Sequence, residues 1–394
     1  MANPVYQALP TTIFAVMSGL ARELGAINLG QGFPDEPGPR AIREQAAQEL
    51  LDGDNQYPPM PGLPELRQAV AAHYRRTQGL DLDWASEITV TSGATEALAC
   101  AFLALLQAGD EAVLFQPTYD SYLPMVRRAG GIGKLVRLEP PTWRFDRAAL
   151  EAVFSERTRI VVLNTPLNPA AIICPDEDLA LLAEFCVRHD AIAVCDEVWE
   201  HVVFDGRAHR PLISYPGMRE RTVKIGSAGK MFALTGWKVG FLMAAPALTQ
   251  LLAKAHQFLT FTTPPSLQAA VAWGLGASDD WFATMPLDLT RSRDRLAEGL
   301  RREGFAVLDS QGTYFLNVDL AASGIFEDDM DFCLRAVKEA GVAAIPVSAF
   351  YEEAPVTSII RLCFAKRDAT LDEGVRRLAK ARDLSIRAHN SADR

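Results

Sequence analysis

The chain has 394 residues, 49% of them apolar, and 39 Lys and Arg against 49 Asp and Glu leave a formal charge of −10. This composition fills a large core and excludes intrinsic disorder, and the acidic balance argues against a basic nucleic-acid face. No apolar run reaches the ~20 residues of a membrane span, no signal-peptide pattern opens the chain, and six cysteines without a C-x-x-C pair indicate neither a zinc knuckle nor a disulfide framework.

These features point to a cytoplasmic protein with reduced thiols and about two domains. A helical pattern over residues 13–24 gives way to AINLGQGFPDEPGP, where glycines and prolines oppose regular structure. Gly30 and Gly32 there allow close backbone approach to a ligand, or simply make a connecting loop. A second Pro-rich loop, NQYPPMPGLPEL at 55–66, holds Tyr57 in extended backbone ahead of two prolines and leads into an amphipathic helix around 66–74. Alone, Tyr57 reads as a packing residue.

From Glu87 a strand–helix alternation begins. EITVTS at 87–92 is a strand, and the following helix is apolar nearly all round, so it is expected to be buried. Gly93 and Ala94 open that helix, where free N–H groups and the helix dipole suit a phosphate as well as an ordinary cap. Strands follow at 111–116 and 159–164, the latter ending in the turn TPLNPAA, and then at 191–200, after a helix at 179–190. The apolar run of this last strand breaks at Asp196 and Glu197, and a carboxylate there is costly unless paired. The strand TVKIGS at 222–227 delivers Lys230 after a Ser-Ala-Gly turn, with an apolar helical start beyond it. This alternation implies an α/β fold with a mostly parallel sheet covered on both faces. Asn168, Asp196 and Lys230 then share the carboxyl-end edge of the sheet, where such folds bind ligands.

After Thr262 the pattern changes. Helices at 267–275, 288–303, 329–340 and 370–382 alternate with short strands at 304–309, 313–320, 342–347 and 358–365, a smaller α+β domain. Arg361 lies in the last of these, between Ile360 and Leu362, and calls for an anionic partner. The tail 385–394 is expected to fray.

A lysine, an acid and phosphate-receptive turns on one edge meet the needs of pyridoxal phosphate. The lysine anchors the aldehyde, the acid keeps the pyridine nitrogen protonated, Asn168 reaches the ring oxygen, and Tyr119 stacks on the ring. Two other lysine motifs fit poorly. The S-x-x-K of 227–230 lacks its S-D-N and K-T-G partners, and a P-loop would need glycine at Lys224 and Ser or Thr at Met231.

Taken together, NLGQGFPD, SGATEAL, NTPLNP, CDEVWEHVVFDG, SAGKMFALTGWKVG and IIRLCFAK run nearly end to end. In that combination the chain resembles the class I, fold type I pyridoxal-phosphate aminotransferases, especially the kynurenine, glutamine and methionine branch. The resemblance implies a large domain (41–290) with a seven-stranded, mostly parallel sheet, a small C-terminal domain (291–394), and an arm (1–40) shared with it. It implies Lys230 as covalent anchor and proton shuttle, Asp196 on the pyridinium nitrogen and Asn168 on the ring hydroxyl. Gly93, Ala94, Thr95 and Ser227 would hold the phosphate with Lys238 nearby, while Tyr119 and Trp199 would border the ring. Arg361 would take the substrate α-carboxylate, helped by Asn168 and the Gly32 backbone. Tyr57 would reach the phosphate of a neighbouring subunit, making a homodimer with shared sites. The implied reaction transfers the amino group of a neutral or aromatic L-amino acid to a 2-oxo acid. The same residues also serve β-elimination from cysteine conjugates, and a binding protein on this fold is a third reading. Three positions depart from the family pattern: Ala171 stands for glycine, Trp199 for tyrosine and Lys238 for arginine. Phe33, Tyr122 and Phe350 are candidates for the substrate side-chain wall.

Overall fold

A computed structural model describes residues 2–277 and 279–392. Its thirteen strands are β1 (Ile27–Asn28), β2 (Ile88–Ser92), β3 (Glu111–Gln116), β4 (Ile132–Arg137), β5 (Thr158–Asn164), β6 (Ile192–Asp196), β7 (Thr222–Ser227), β8 (Val239–Met243), β9 (Ala306–Val307), β10 (Phe315–Asp319), β11 (Val342–Ala343), β12 (Ile345–Pro346) and β13 (Ile359–Cys363). Seven form one sheet in the order β2-β8-β7-β6-β5-β3-β4. Only β8 runs against its neighbours β2 and β7; β3, β4, β5, β6 and β7 pair in parallel. Central strands such as β3, β7 and β8 are buried along their whole length, as expected for strands covered on both faces. Alternate residues serve opposite faces: Ala112, Leu114, Ile160 and Val162 pack on one side, and Val113, Phe115, Val161 and Leu163 on the other.

Two strands of this sheet escape the sequence reading. β4 (IGKLVR) is a half-exposed edge whose polar residues blur any pattern. β8 replaces the helix expected after Lys230: the helix there is a single turn, Ala228–Met231, followed by a short 3-10 turn at Thr235–Trp237 and then the strand. The strand expected at 191–200 also stops at Asp196, with a turn beyond it. That turn carries Glu197 and Glu200 onto a buried cation.

The cation is Lys224 of β7, wholly buried between the carboxylates of Glu197 and Glu200, the latter at 2.6 Å. Glu200 also accepts from Tyr74 and from Gln78 Nε2 at 2.6 Å, and Glu197 meets His209 Nε2 at 2.8 Å. Burial alone would raise both carboxyls, but the adjacent ammonium outweighs it and holds them below their usual range. The next residue on the same strand face is Gly226, where a Cβ would lie 2.3 Å from Tyr74 Oη; any side chain there would break the cluster. The network ties β7, which leads to Lys230, to the turn after Asp196 and to the helix Pro64–Gln78.

The remaining strands form a four-stranded antiparallel sheet, β12-β13-β10-β9, and a parallel pair, β1-β11. Arg361 on β13 lies opposite Asn317 of β10 and Ile345 of β12. The position expected to divide large from small domain, 290, falls inside the helix Asp279–Arg302. The tail expected to fray is helical as far as Ala392 within Asp368–Ala392.

Replacing Lys224 by Met leaves two buried carboxylates without a counter-charge. Urea unfolding at neutral pH is expected to show a loss of about 3–5 kcal/mol; a loss below ~1 kcal/mol would mean the cluster is not ionised.

Candidate active site

The carboxyl ends of β2, β3, β5, β6 and β7 surround a cavity of about 190 Å³. Each end stops in a polar or small residue that cannot continue the strand into the core: Ser92 before Gly93, Gln116 before Pro117, Asn164, Asp196, and Ser227 before the Lys230 turn. Because β8 is antiparallel, its start lies on the same edge, Val239 beside Ser92, and this brings Lys238 to Gly93. The cavity is lined by Gly93, Ala94, Thr95, Tyr119, Asn168, Asp196, Trp199, Ser227, Lys230 and Lys238, all expected from sequence, together with Tyr122, Asn164, Val198 and Thr235.

Asp196 is buried, and its Oδ2 accepts from Tyr122 Oη at 2.6 Å. Burial pushes this carboxyl above its ordinary value, while the Tyr122 hydrogen bond, the Val198 N–H and the Lys230 charge oppose the shift. Tyr122, which also lines the cavity, thus supports the acid. Asn164 braces the same corner, donating Nδ2–H to the Asp196 carbonyl at 2.8 Å and accepting Asn168 N–H at 2.8 Å.

Lys230 keeps part of its surface open to the cavity, with Nζ 4.4 Å from the Trp199 ring centre and 5.9 Å from that of Tyr314. Tyr314 Oη donates to the Lys230 carbonyl at 3.0 Å, fixing the lysine turn from behind. Withdrawal of water by the surrounding atoms brings the amine down to about 8, with Cys363 and Asp196 holding it up and Arg361 and Lys238 adding to the fall. Trp199 packs edge-on against Tyr314 and Phe315, at 4.6 and 5.5 Å between ring centres. The indole therefore forms a wall under the lysine.

At the phosphate-receptive end, Lys238 has φ 54°, in the left-handed region, and its Nζ reaches only Thr95 Oγ1, at 3.5 Å. Its charge faces the start of the helix Gly93–Leu105.

Arg361 is 1% exposed. Nη1 donates to Asn168 Oδ1 at 2.7 Å and Nη2 to the Gly30 carbonyl at 2.8 Å, while Nε has no partner. Neither acceptor is charged. The guanidinium lies 3.8 Å from the Phe315 ring centre, 5.1 Å from Phe14 and 5.4 Å from Phe350. Burial lowers it to about 10, against the pull of Cys363, Tyr119 and Asp120. One acceptor on the arginine is the Gly30 carbonyl, and at Gly32 the chain passes over Phe315, where a Cβ would come within 2.7 Å. Phe33 lies further out, 45% exposed over Lys366.

Ala171 adopts φ 63° despite its side chain. Its N–H bonds Leu167 O at 2.7 Å and its carbonyl accepts from Gln311 and Gly312, so the turn keeps a left-handed residue at some cost in strain. Tyr57 stays outside this cavity. It is 84% exposed and packs edge-on to Phe261, 5.6 Å between ring centres.

An amine and a buried acid on this sheet edge, with an unneutralised guanidinium reaching the Asn168 turn from the small sheet, make a site of an α/β protein suited to a small carboxylate ligand. The model for aminotransferase class I and II matches residues 25–378. The chain is similar to the methionine aminotransferase of Escherichia coli (43% identical over 370 residues, 94% of this chain and 96% of that protein). It is also similar to a probable N-succinyldiaminopimelate aminotransferase of Mycobacterium tuberculosis (44% over 380 residues, 94% and 96%). The solved structures of an Escherichia coli protein with methionine aminotransferase function (TM-score 0.93, 42% identity, 96% and 99% covered) and of the Mycobacterium tuberculosis N-succinyldiaminopimelate aminotransferase (TM-score 0.94, 44%, 97% and 100%) share its fold. The chain belongs to the class I and II aminotransferase family. It is a transaminase with small-molecule substrates, and among the described residues no helix is long and apolar enough to cross a membrane.

A lysine with this environment reacts as an amine nearer neutrality than an ordinary one. In cofactor-free protein, labelling of Lys230 by an amine-selective reagent is expected to rise with pH through about 8; a midpoint near the usual ~10.4 would contradict the desolvated setting.

Proposed function

We propose that this transaminase uses pyridoxal phosphate to move the amino group of a neutral or aromatic L-amino acid, of methionine, glutamine, kynurenine or aromatic type, to a 2-oxo acid. The observation that carries the substrate side is Arg361: a buried guanidinium with a spare Nε–H, uncharged partners and aromatic walls. A carboxylate is the natural third partner. Phe14, Phe315 and Phe350 offer the substrate apolar surface, and the nearby Asp120 disfavours a second carboxylate.

The donor set fits the cofactor. Lys238, Ser227 and the start of the helix Gly93–Leu105 suit a phosphate, and a carboxylate below them suits a protonated ring nitrogen. When bound, pyridoxal phosphate supplies an electron sink for the substrate Cα carbanion. Asp196, braced by Tyr122, holds its negative charge against the ring nitrogen. Asn168, with Oδ1 engaged by Arg361, has Nδ2–H left to donate to the ring oxygen. Tyr119 and the Trp199 wall confine the ring. Arg361 fixes the substrate carboxylate, and Lys230 Nζ, poised near neutrality, takes the proton from substrate Cα.

Support for a homodimer comes from the exposed apolar side chains Leu51, Tyr57 and Phe258, at 79, 84 and 83% exposure. Tyr57, outside this chain's cavity, would serve a second copy. Unpaired cysteines agree with a cytoplasmic setting. The division into an arm (1–40), a large domain (41–290) and a small domain (291–394) remains part of this proposal, with the helix Asp279–Arg302 as the connector.

Lys230→Ala is expected to abolish turnover. Arg361→Lys keeps the charge but loses the fork, so kcat/KM for methionine is expected to fall about 30-fold or more, roughly 2–5 kcal/mol, with cofactor absorbance retained. Unchanged KM for every amino acid would refute the arginine's role. In a substrate panel, methionine, glutamine and aromatic amino acids are expected to exceed N-succinyldiaminopimelate; the reverse order would favour the second relative's activity. Pyruvate released from a cysteine conjugate without any oxo-acid acceptor would identify the lyase reaction.

A further inference from the structure

The helix that opens the phosphate-receptive turn carries a negative charge of its own. Glu96 lies in its first turn and is 8% exposed. Its Oε2 accepts the Ser92 N–H at 2.8 Å, and its Oε1 accepts the Cys100 thiol at 2.9 Å. An anion here satisfies the helix start, but it also opposes a second anion arriving at Gly93–Thr95. A phosphate dianion brought to the same dipole would meet a like charge in a poorly solvated place.

The structure supplies a compensating group. His256, on the helix Pro246–Leu259, is 1% exposed. Its Nδ1 lies 2.8 Å from Glu96 Oε1 and its Nε2 lies 3.0 Å from the Met60 carbonyl. A carbonyl oxygen only accepts, and Glu96 already accepts from Ser92 and Cys100. Against the effect of burial, these hydrogen bonds hold Glu96 below its ordinary value, and opposite an ionised Glu96 both ring nitrogens must donate. The groups facing the ring are Glu96 and Cys100 from the helix Gly93–Leu105, Met60 from the loop, and the Thr260 hydroxyl and Phe261 backbone at the end of its own helix. Burial works against the charged imidazole, but the hydrogen bonds to Glu96 and Met60 outweigh it and raise its proton affinity above the ordinary value.

We propose that His256 is a positioning residue: as an imidazolium it cancels the Glu96 charge, so that the start of the helix Gly93–Leu105 stays open to the dianionic phosphate of the cofactor. This rests on the pyridoxal-phosphate reading above. Its consequence is a phosphate affinity that depends on a proton held outside the cavity. His256 is protonated below its raised folded pKa, so the compensation is present on the acid side of that value and is lost as pH rises through it.

The test compares pyridoxal phosphate with pyridoxal on cofactor-free protein, by calorimetry between pH 7.5 and 9.5 at constant ionic strength, so that the ratio of dissociation constants isolates the phosphate. The ratio cancels the titration of Lys230, which both aldehydes feel. His256→Gln is expected to raise the ratio of the pyridoxal phosphate to the pyridoxal dissociation constant about tenfold at pH 7.5 and to abolish its rise with pH. Adding Glu96→Gln to His256→Gln is expected to restore the wild-type ratio, because the uncompensated charge is gone. Equal weakening of both ligands in His256→Gln, or a double variant no better than the single one, would make the pair purely structural and overturn the proposal. If the wild-type protein binds pyridoxal phosphate no more tightly than pyridoxal, the cofactor reading itself falls. Tight wild-type binding with an unchanged ratio in His256→Gln removes the present inference alone.

Discussion

The hydrogen bond from Arg361 to Asn168, 2.7 Å long, joins the small antiparallel sheet to the large parallel one at the point where they share a site. It does not stand alone. Asn317 Nδ2 donates to the Pro169 carbonyl at 2.9 Å, and Gln311 and Gly312 donate to Ala171. The turn after β5 is thus stitched along its length to the strand pair β10–β13. This explains how Ala171 holds a left-handed backbone that glycine would adopt freely: the contacts on both sides of it over-determine the conformation. It also orders Asn168, whose amide looks to the arginine with one end and has the other left for the cavity.

The charges of the site follow a consistent rule. Where a cation is buried behind the cavity, it is fully compensated, as Lys224 is by Glu197 and Glu200. Arg361 and Lys238 have uncharged hydrogen-bond partners instead. An overall acidic chain therefore keeps two cations at this site, Arg361 and Lys238, whose hydrogen-bond partners carry no charge. Arg361, whose desolvation is already incurred on folding, gives up little more when an anion docks, which suits it to a carboxylate.

Much of this architecture is legible in the amino-acid sequence. Asp196, Asn168 and Lys230 end or follow apolar strands, and a polar residue in that place has few explanations besides a ligand edge. Arg361 in an apolar strand carries the same signal. The features that local pattern conceals are concealed for physical reasons. β8 follows a glycine- and lysine-containing turn whose apolar residues suit a helix start equally well, and only pairing with β2 and β7 decides for a strand. β4 is an edge with no clean alternation. Lys224 reads as a failed P-loop position; its partners Glu197 and Glu200 sit beyond the strand end, in a turn that local pattern extends as strand. Tyr122 and Gly30 are visible as residues near the site, but their roles as the brace of Asp196 and the acceptor for Arg361 depend on long-range contacts with no sequence spacing of their own.

The antiparallel course of β8 also constrains how this protein can vary. Lys230 and Lys238 sit on one short excursion that leaves the sheet at Ser227 and re-enters it at Val239, both ends clamped by pairing with neighbouring strands. In the proposed function, covalent attachment and phosphate attraction would therefore be metered by the same length of chain. An insertion or deletion between them would misplace one lysine relative to the other, whereas the loops beyond the opposite edge of the sheet carry no such ruler.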